Sequence, residues 1–370
     1  MESFGVPWPP LNEGILYRDD LPATFPTSSL LDFYCTKYKH SAPREGWQQR
    51  ILNGQIMVDG EVVEKLDRYV RAGNQLTYHR LPWTEPPAPW MLEILYEDDH
   101  LLAVNKPSGF QVLPGGLYQQ RTVLTQLMWR YTSAADTQTQ MQTRSCVPSP
   151  VHRLGRGTSG VLLCAKTKVV KSKLSVELAK GASLQVSNQF DICSVAEKHI
   201  VKIYRALVVG IIDIDETFIE EPIGMISYPG VLKGLYAATP EGKPSRSKVV
   251  VLQRDLKNNC TLVQVEIFSG RPHQIRIHLA FLGYPLKGDP LYISGGKPDT
   301  SHMALLEDFQ QGIINQDDGG YLKPINPVPG ECGYHLHAHK LMFIHPITEK
   351  PLQIVARCPS TLCMPGEECN

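Results

Sequence analysis

The sequence predicts an α+β protein of two folding units. Segments with strand-like alternation dominate residues 91–360, helical spacing recurs in few places, and "LPWTEPPAPW" puts four prolines into ten residues. A chain of 370 residues has room for one large core and one small one.

Residues 1–26 are proline-rich and unpatterned, which predicts an extended arm. From Leu30, the residues Leu31, Phe33, Tyr34 and Tyr38 continue at helical spacing. In "WQQRILNGQIMVDGEVV", Asn53-Gly54 stops a second helix, Gln55 to Val58 reads as a strand, and Asp59-Gly60 has the φ > 0 preferences of a tight hairpin turn. The strand "NQLTYHR" closes this unit, assigned to residues 27–81, with a stiff linker over 82–90.

The large unit, 91–360, opens with "LEILYEDDHLLAVNKPSG", two strands joined by an Asp-Asp turn. Strands also fit "GVLLCAK", "KIYRALVVGII", "SRSKVVVLQRD" and "CTLVQVEIFSG". In the last of these, Val263, Val265 and Ile267 alternate with Gln264 and Glu266, one face dry and the other wet. In "RPHQIRIHLAFLG", Ile275, His278, Leu279 and Leu282 form a helical stripe, with Pro272 in the first turn and Gly283 as the stop. Residues 181–197 and 293–331 read as polar insertions, and 361–370 as a tail.

Lys+Arg and Asp+Glu both number 37, so attraction to a polyanion has to come from local patches. The nine scattered cysteines predict neither a disulfide framework nor a zinc site. "MESFGVPWPP" lacks the basic and apolar regions of a signal or transit peptide, and no apolar run approaches the ~20 residues of a membrane span. A cytoplasmic or nuclear address is the expectation, with no membrane partner.

"PVHRLGRGTSGVLLCAKTK" contains Gly155, Gly157 and Gly160 in the G-x-G-x-x-G spacing of dinucleotide-binding loops. That motif works by opening a helix whose amide groups face a pyrophosphate. Here a β-branched run follows and prolines precede, so tight turns are the better reading. Between Arg144 and Lys180 eight basic residues stand against one acid, Glu177, and "SGRPHQIRIH" adds Arg271, His273, Arg276 and His278. Such clusters suit a phosphate-rich polymer, against the plainer reading of a solvated lysine face.

Five segments in order resemble the RluA-type pseudouridine synthases, which isomerise uridine to pseudouridine in structured RNA. They are "ILYEDDHLLAVNKPSGFQV", "VHRLGRGTSGVLLCAKT", "VKIYRALVVG", "SGRPHQIRIHLAFLGYPLKGDPLY" and "LHAHKLMFIHPIT", spanning about residues 90–358. Residues 27–81 are similar to the small S4 RNA-binding domain, mainly through "RILNGQIMVDGEVV". The resemblance implies a long, mostly antiparallel or mixed sheet flanked by helices, with an RNA cleft across one face. It implies no cofactor and no metal. It also implies a flipped-out uridine and a carboxylate acting as nucleophile or base.

The family's aspartate directly follows His-Arg-Leu, and that position here is Gly155. Tyr204 matches the tyrosine that stacks on the base. Arg276 matches the arginine that pairs with the aspartate, so it is expected to have lost its partner and to be free for a phosphate. Asp289 matches a turn-holding position. His152, Arg153, Arg156, Thr158, Lys166, Arg271, His273 and Arg50 are the RNA-contacting candidates. Apart from the resemblance, Tyr204 reads as a core tyrosine, His273 and His278 as packing or capping histidines, and Arg276 as a surface arginine.

His335, His337 and His339 share one strand face, a pattern that binds zinc or copper. The same run fits the family's closing strands and offers no nearby pattern of cysteines or carboxylates, so no metal is expected. Two functions follow: an RNA pseudouridine synthase that has recruited another acid, or a substrate phosphate or water, into the place of Gly155, or a catalytically silent RNA-binding protein or RNA chaperone on the same fold.

Overall fold

Alternating strands and one buried helix organise the larger part of the chain, as a computed structural model shows for residues 2–39, 41–132, 147–180, 200–301, 313–315, 321–323 and 328–369. The insertion assigned to 181–197 lies outside these residues, as does about half of 293–331. By contacts the chain divides into a unit of residues 1–8, 87–301 and 327–370, and another of 9–86 and 302–326.

In the smaller unit, helices Leu30–Lys37 and Arg44–Leu52 pack their apolar faces with a four-stranded sheet around Leu30, Trp47, Ile51, Ile56 and Leu76. Ser29 caps the first helix by accepting from the Asp32 amide at 3.0 Å. Asp59 and Gly60 have φ of 53° and 86°, as their hairpin turn requires. The N-terminal segment is more than an arm. Strand Ile15–Asp20 pairs with Gln75–Arg80, and Tyr17 stacks on Tyr78. Composition hid this strand because its partner lies some sixty residues on and none of its residues is fully buried.

The larger unit is built on one sheet, eleven strands among the described residues. Its main path runs Ser3–Phe4, Leu92–Glu97, Leu101–Lys106, Ser159–Ala165, Leu336–Ile344, Val201–Val209, Cys260–Ile267, Ser247–Asp255 and Glu216–Ile219. Every pairing on it is antiparallel except that of Ser159–Ala165 with Leu336–Ile344. Asp98 makes the first turn by accepting from the His100 and Leu101 amides, both at 2.7 Å.

Alternation separates two faces. Leu162, Cys164, Tyr204, Ala206, Leu336 and Ala338 enter one core cluster, whereas Val161, Leu163, Leu341 and Phe343 enter another. Helix Lys168–Lys180 covers the second face through Val170 and Leu174. The wet face predicted for Cys260–Ile267 is itself covered: Glu266 is buried, and burial raises its pKa against the pull of Lys248.

Helix Gln274–Phe281 begins after Pro272, at a His273 held in the left-handed region with φ 56°, and Gly283 ends it with φ 92°. It is buried on nearly every side, because sheet and neighbouring loops enclose it. The chain also holds a disulfide that cysteine counting did not anticipate, Cys363–Cys369, closed by a turn near the C-terminus. No helix among the described residues is long and apolar enough to cross a membrane.

Candidate active site

A turn, not a helix, follows the glycine-rich segment: the Thr158 amide donates to the Gly155 carbonyl at 3.0 Å, and strand Ser159–Ala165 starts directly afterwards. A pyrophosphate would find no aligned amide groups there. The glycines serve close approach instead. A Cβ at Gly157 would lie 2.6 Å from the Glu331 carbonyl oxygen and 2.8 Å from the Tyr334 ring. At Gly160, where φ is 106°, it would lie 2.2 Å from the Ala338 carbonyl oxygen, which would block the parallel pairing.

Gly155 is exposed, and a Cβ placed on it would stand 3.0 Å from the Tyr334 hydroxyl and 3.5 Å from Thr158 Oγ1. Tyr334 Oη and Thr158 Oγ1 are hydrogen-bonded at 3.2 Å. A phenol thus borders the space into which a carboxylate on residue 155 would project. The Tyr334 ring lies 4.5 Å from the Arg276 guanidinium carbon, with Tyr292 at 4.9 Å. Tyr334 therefore bridges the Gly155 turn and Arg276. Tyr204, opposite Ala338 in the next strand, joins the same apolar cluster as Leu154, Ile275 and Tyr334. Burial pushes its hydroxyl up to about 12, so it stays protonated at neutral pH.

Arg276 has a partner, contrary to expectation. Its Nε and Nη2 donate to the two carboxylate oxygens of Asp289 at 2.7 and 2.8 Å, and both side chains are buried. Burial opposes the charge on Arg276, and the Asp289 carboxylate outweighs it, holding the guanidinium above its usual pKa. Asp289 Oδ1 also accepts from the Leu291 and Tyr292 amides, so the turn-holding residue is the arginine's counter-ion as well. Helical spacing had placed Arg276 opposite the apolar stripe, but that side is enclosed too.

A clasp braces the glycine turn. Lys106, fully buried, donates to the carbonyls of Pro107, Phe110 and Arg156 at 3.0, 2.9 and 3.1 Å. Burial pulls its pKa down to about 7, while three acceptors engage the three ammonium protons. Ser108 Oγ donates to the Gly157 carbonyl at 2.8 Å. The Asn-Lys-Pro-Ser-Gly segment is thereby fastened to the glycine turn.

The RNA-contact candidates divide. Arg153 is exposed on the turn, and its charge reaches His273. Arg156 donates to the Tyr118 hydroxyl at 3.0 Å, and Arg271 to the Pro244 carbonyl at 3.1 and 3.0 Å. Burial lowers His152 and His273 to about 4, leaving neutral rings: His152 accepts from the Leu163 amide, and His273 is bonded to the Tyr292 hydroxyl. His278 is a packing histidine between Ser245 and Ser247.

Two candidates are corrected. Arg50 is 1% exposed beneath the rings of Trp47 and Tyr78, so it serves the small core. Lys166 forms an ion pair with Glu97 at 2.7 Å. The lysines of helix Lys168–Lys180 stand on the sheet face away from Tyr204 and Tyr334, so the local excess of positive charge is divided between two faces. Sequence reading missed Tyr334, Glu331 and Lys106. For Tyr334 the usable signal is its place just before the "LHAHK" strand; for Lys106 it is a lysine closing the strand LLAVNK, whose first four residues are apolar.

A family model described as RNA pseudouridylate synthase matches residues 100–281. RNA pseudouridine synthase 5 of Arabidopsis thaliana is 53% identical over 364 residues, 98% of this chain and 97% of that protein. The protein of the same name from Oryza sativa is 52% identical over 97% of this chain and 91% of its own length. Ribosomal large subunit pseudouridine synthase D of Pseudomonas aeruginosa is 32% identical over 74% of this chain and 76% of that protein. The fold and the clustered motifs define an isomerase acting on RNA, and the chain belongs to the RluA-type RNA pseudouridine synthases.

Proposed function

We propose that this protein isomerises uridine in structured RNA by base flipping, with a carboxylate other than one at residue 155. Support comes from the arrangement around Tyr334, which joins the Gly155 turn to Arg276 on the sheet face that carries Tyr204. The flipped uracil stacks on Tyr204, Arg153 holds a flanking phosphate, and the buried Arg276–Asp289 pair fixes the wall.

The acid is Glu331. Its carbonyl packs on Gly157, its side chain is exposed, and its charge reaches Tyr292 beside Arg276. Asp289 does not serve: its side chain is fully buried and both oxygens are engaged. Tyr334 does not serve as nucleophile either, because burial raises its pKa against the opposing effect of Arg276. The carboxylate of Glu331 either attacks the anomeric carbon, forming an ester, or takes a ribose proton as the bond to the base breaks and the uracil leaves as its N1 anion. The uracil turns against Tyr204, and its C5 bonds to the anomeric carbon as the ester bond breaks or the proton returns to the ribose. The C5 proton is lost to solvent while N1 takes one up.

Purified protein incubated with total RNA, followed by carbodiimide mapping, should reveal new pseudouridines that are absent with Glu331→Gln. A blank map for the parent protein at saturating concentration overturns the proposal in favour of a silent RNA-binding protein.

A further inference from the structure

On the sheet face opposite Tyr204, the end of strand Leu336–Ile344 meets the segment that follows strand Pro351–Val355. There His337 and Cys358 are buried and His339 half-buried, and their ligand atoms all lie within 4.8 Å of one another. Cys358 Sγ is 3.3 Å from His339 Nδ1. His337 Nε2 and His339 Nδ1 both point at the Ala356 carbonyl, at 3.3 and 2.9 Å. We propose that His337, His339 and Cys358 form a binding site for one zinc ion.

Two imidazoles and a thiolate are a borderline-soft donor set suited to zinc, and a tetrahedral ion sets such donors roughly 3.3–3.7 Å apart. From separations within 4.8 Å, the present spacing requires a contraction of about 1.5 Å at most. The surroundings complete the site. Ser159 Oγ is 2.8 Å from His337 Nδ1; on metal binding the proton that Nε2 turns to the Ala356 carbonyl in the free site shifts to Nδ1, which then donates to the serine and leaves the Nε2 lone pair for the metal.

Arg205 stands near enough for its charge to act on all three ligands. Its Nε and Nη1 are buried and have no hydrogen-bond partner among the described residues. A water or hydroxide in the fourth metal position would accept from them. Glu367, paired with Arg205 at 2.8 Å, offsets the nearby positive charge. On binding, the imidazoles coordinate as neutral rings, the Cys358 Sγ–H bond breaks, its proton passes to solvent, and the S–Zn bond forms.

This is not the triad suggested by strand periodicity. His335 is instead hydrogen-bonded to Thr361 Oγ1 at 3.2 Å, and the third donor comes from the chain's return past the sheet. Ser159 opens the strand that follows the glycine turn, so the ion would brace the back of the catalytic wall.

Untagged protein stripped with chelator and titrated with cobalt(II) should bind one equivalent, with tetrahedral absorption bands and a thiolate-to-cobalt charge-transfer band, both displaced by zinc. Cys358→Ala and His339→Asn should each abolish the charge-transfer signal or the tetrahedral bands while keeping the parent circular dichroism. The double change Cys363→Ser and Cys369→Ser should leave the signal intact. Ser159→Ala should weaken binding about ten- to a hundredfold. Zinc should raise the unfolding temperature of the parent and not of the half-buried His339→Asn variant. Cobalt bound without a thiolate band, or equal binding by the His339→Asn variant, overturns the site.

Discussion

Moving the carboxylate tests the active-site chemistry most directly. Glu331→Gln changes one oxygen to nitrogen on an exposed side chain, so stability should stay within about 0.5 kcal/mol of the parent. A lost nucleophile or general base should lower the rate of pseudouridine formation by about 10²–10⁴. The structure also specifies a rescue. Gly155→Asp is permitted by the backbone, but its Cβ meets the Tyr334 hydroxyl at 3.0 Å. Forcing that contact costs about 1–3 kcal/mol. Tyr334→Phe removes the obstructing oxygen and retains the ring beside Arg276, at a cost of about 1 kcal/mol for the lost bond to Thr158.

Added to the Glu331→Gln background, Gly155→Asp with Tyr334→Phe should therefore recover activity that Gly155→Asp alone recovers poorly. The assay is release of tritium from uracil-5-labelled RNA under single-turnover conditions. Parental rates in Glu331→Gln would refute the role given to Glu331. Equal recovery with and without Tyr334→Phe would refute the steric reasoning.

Other consequences follow from the same geometry. Asp289→Ala strands the buried Arg276 charge and should lower stability by about 3–5 kcal/mol in urea unfolding, more than any single exposed ion pair would. Arg153→Ala should weaken RNA binding and reduce the slope of log affinity against log salt by about one, while Lys171→Ala, on the covered back face, should change neither. Burial lowers His278 to about 4, so between that value and the unfolded pKa near 6.5 the unfolded chain binds the extra proton. Stability from this group is full above pH 6.5 and is lost as pH falls towards 4, about 2 kcal/mol by pH 5. Thermal scans should show a smaller acid loss in His278→Gln. Lys106→Met leaves three carbonyls without their donor and should lower kcat with little change in RNA affinity, because it loosens the turn rather than removing a phosphate contact.

Local chemistry was legible in the sequence wherever a few neighbouring residues decide the outcome. Asp59-Gly60 specifies its hairpin, Gly283 its helix end and Asp98 its turn, because each depends on backbone preference or on hydrogen bonds within three residues. The ordered motifs carried the family and the sheet in the same way. Distant partnerships were not legible, and there the tertiary structure decided. Thr158 and Tyr334 are 176 residues apart, and the strand order alone brings them within hydrogen-bonding distance. Arg276 looked free because Asp289 becomes its partner only once the helix is enclosed. The lysine-rich stretch looked like one surface because sequence does not say which face of the sheet a helix will cover. Sequence sets the side chains available at each strand position; the pairing of strands determines which of them share a site.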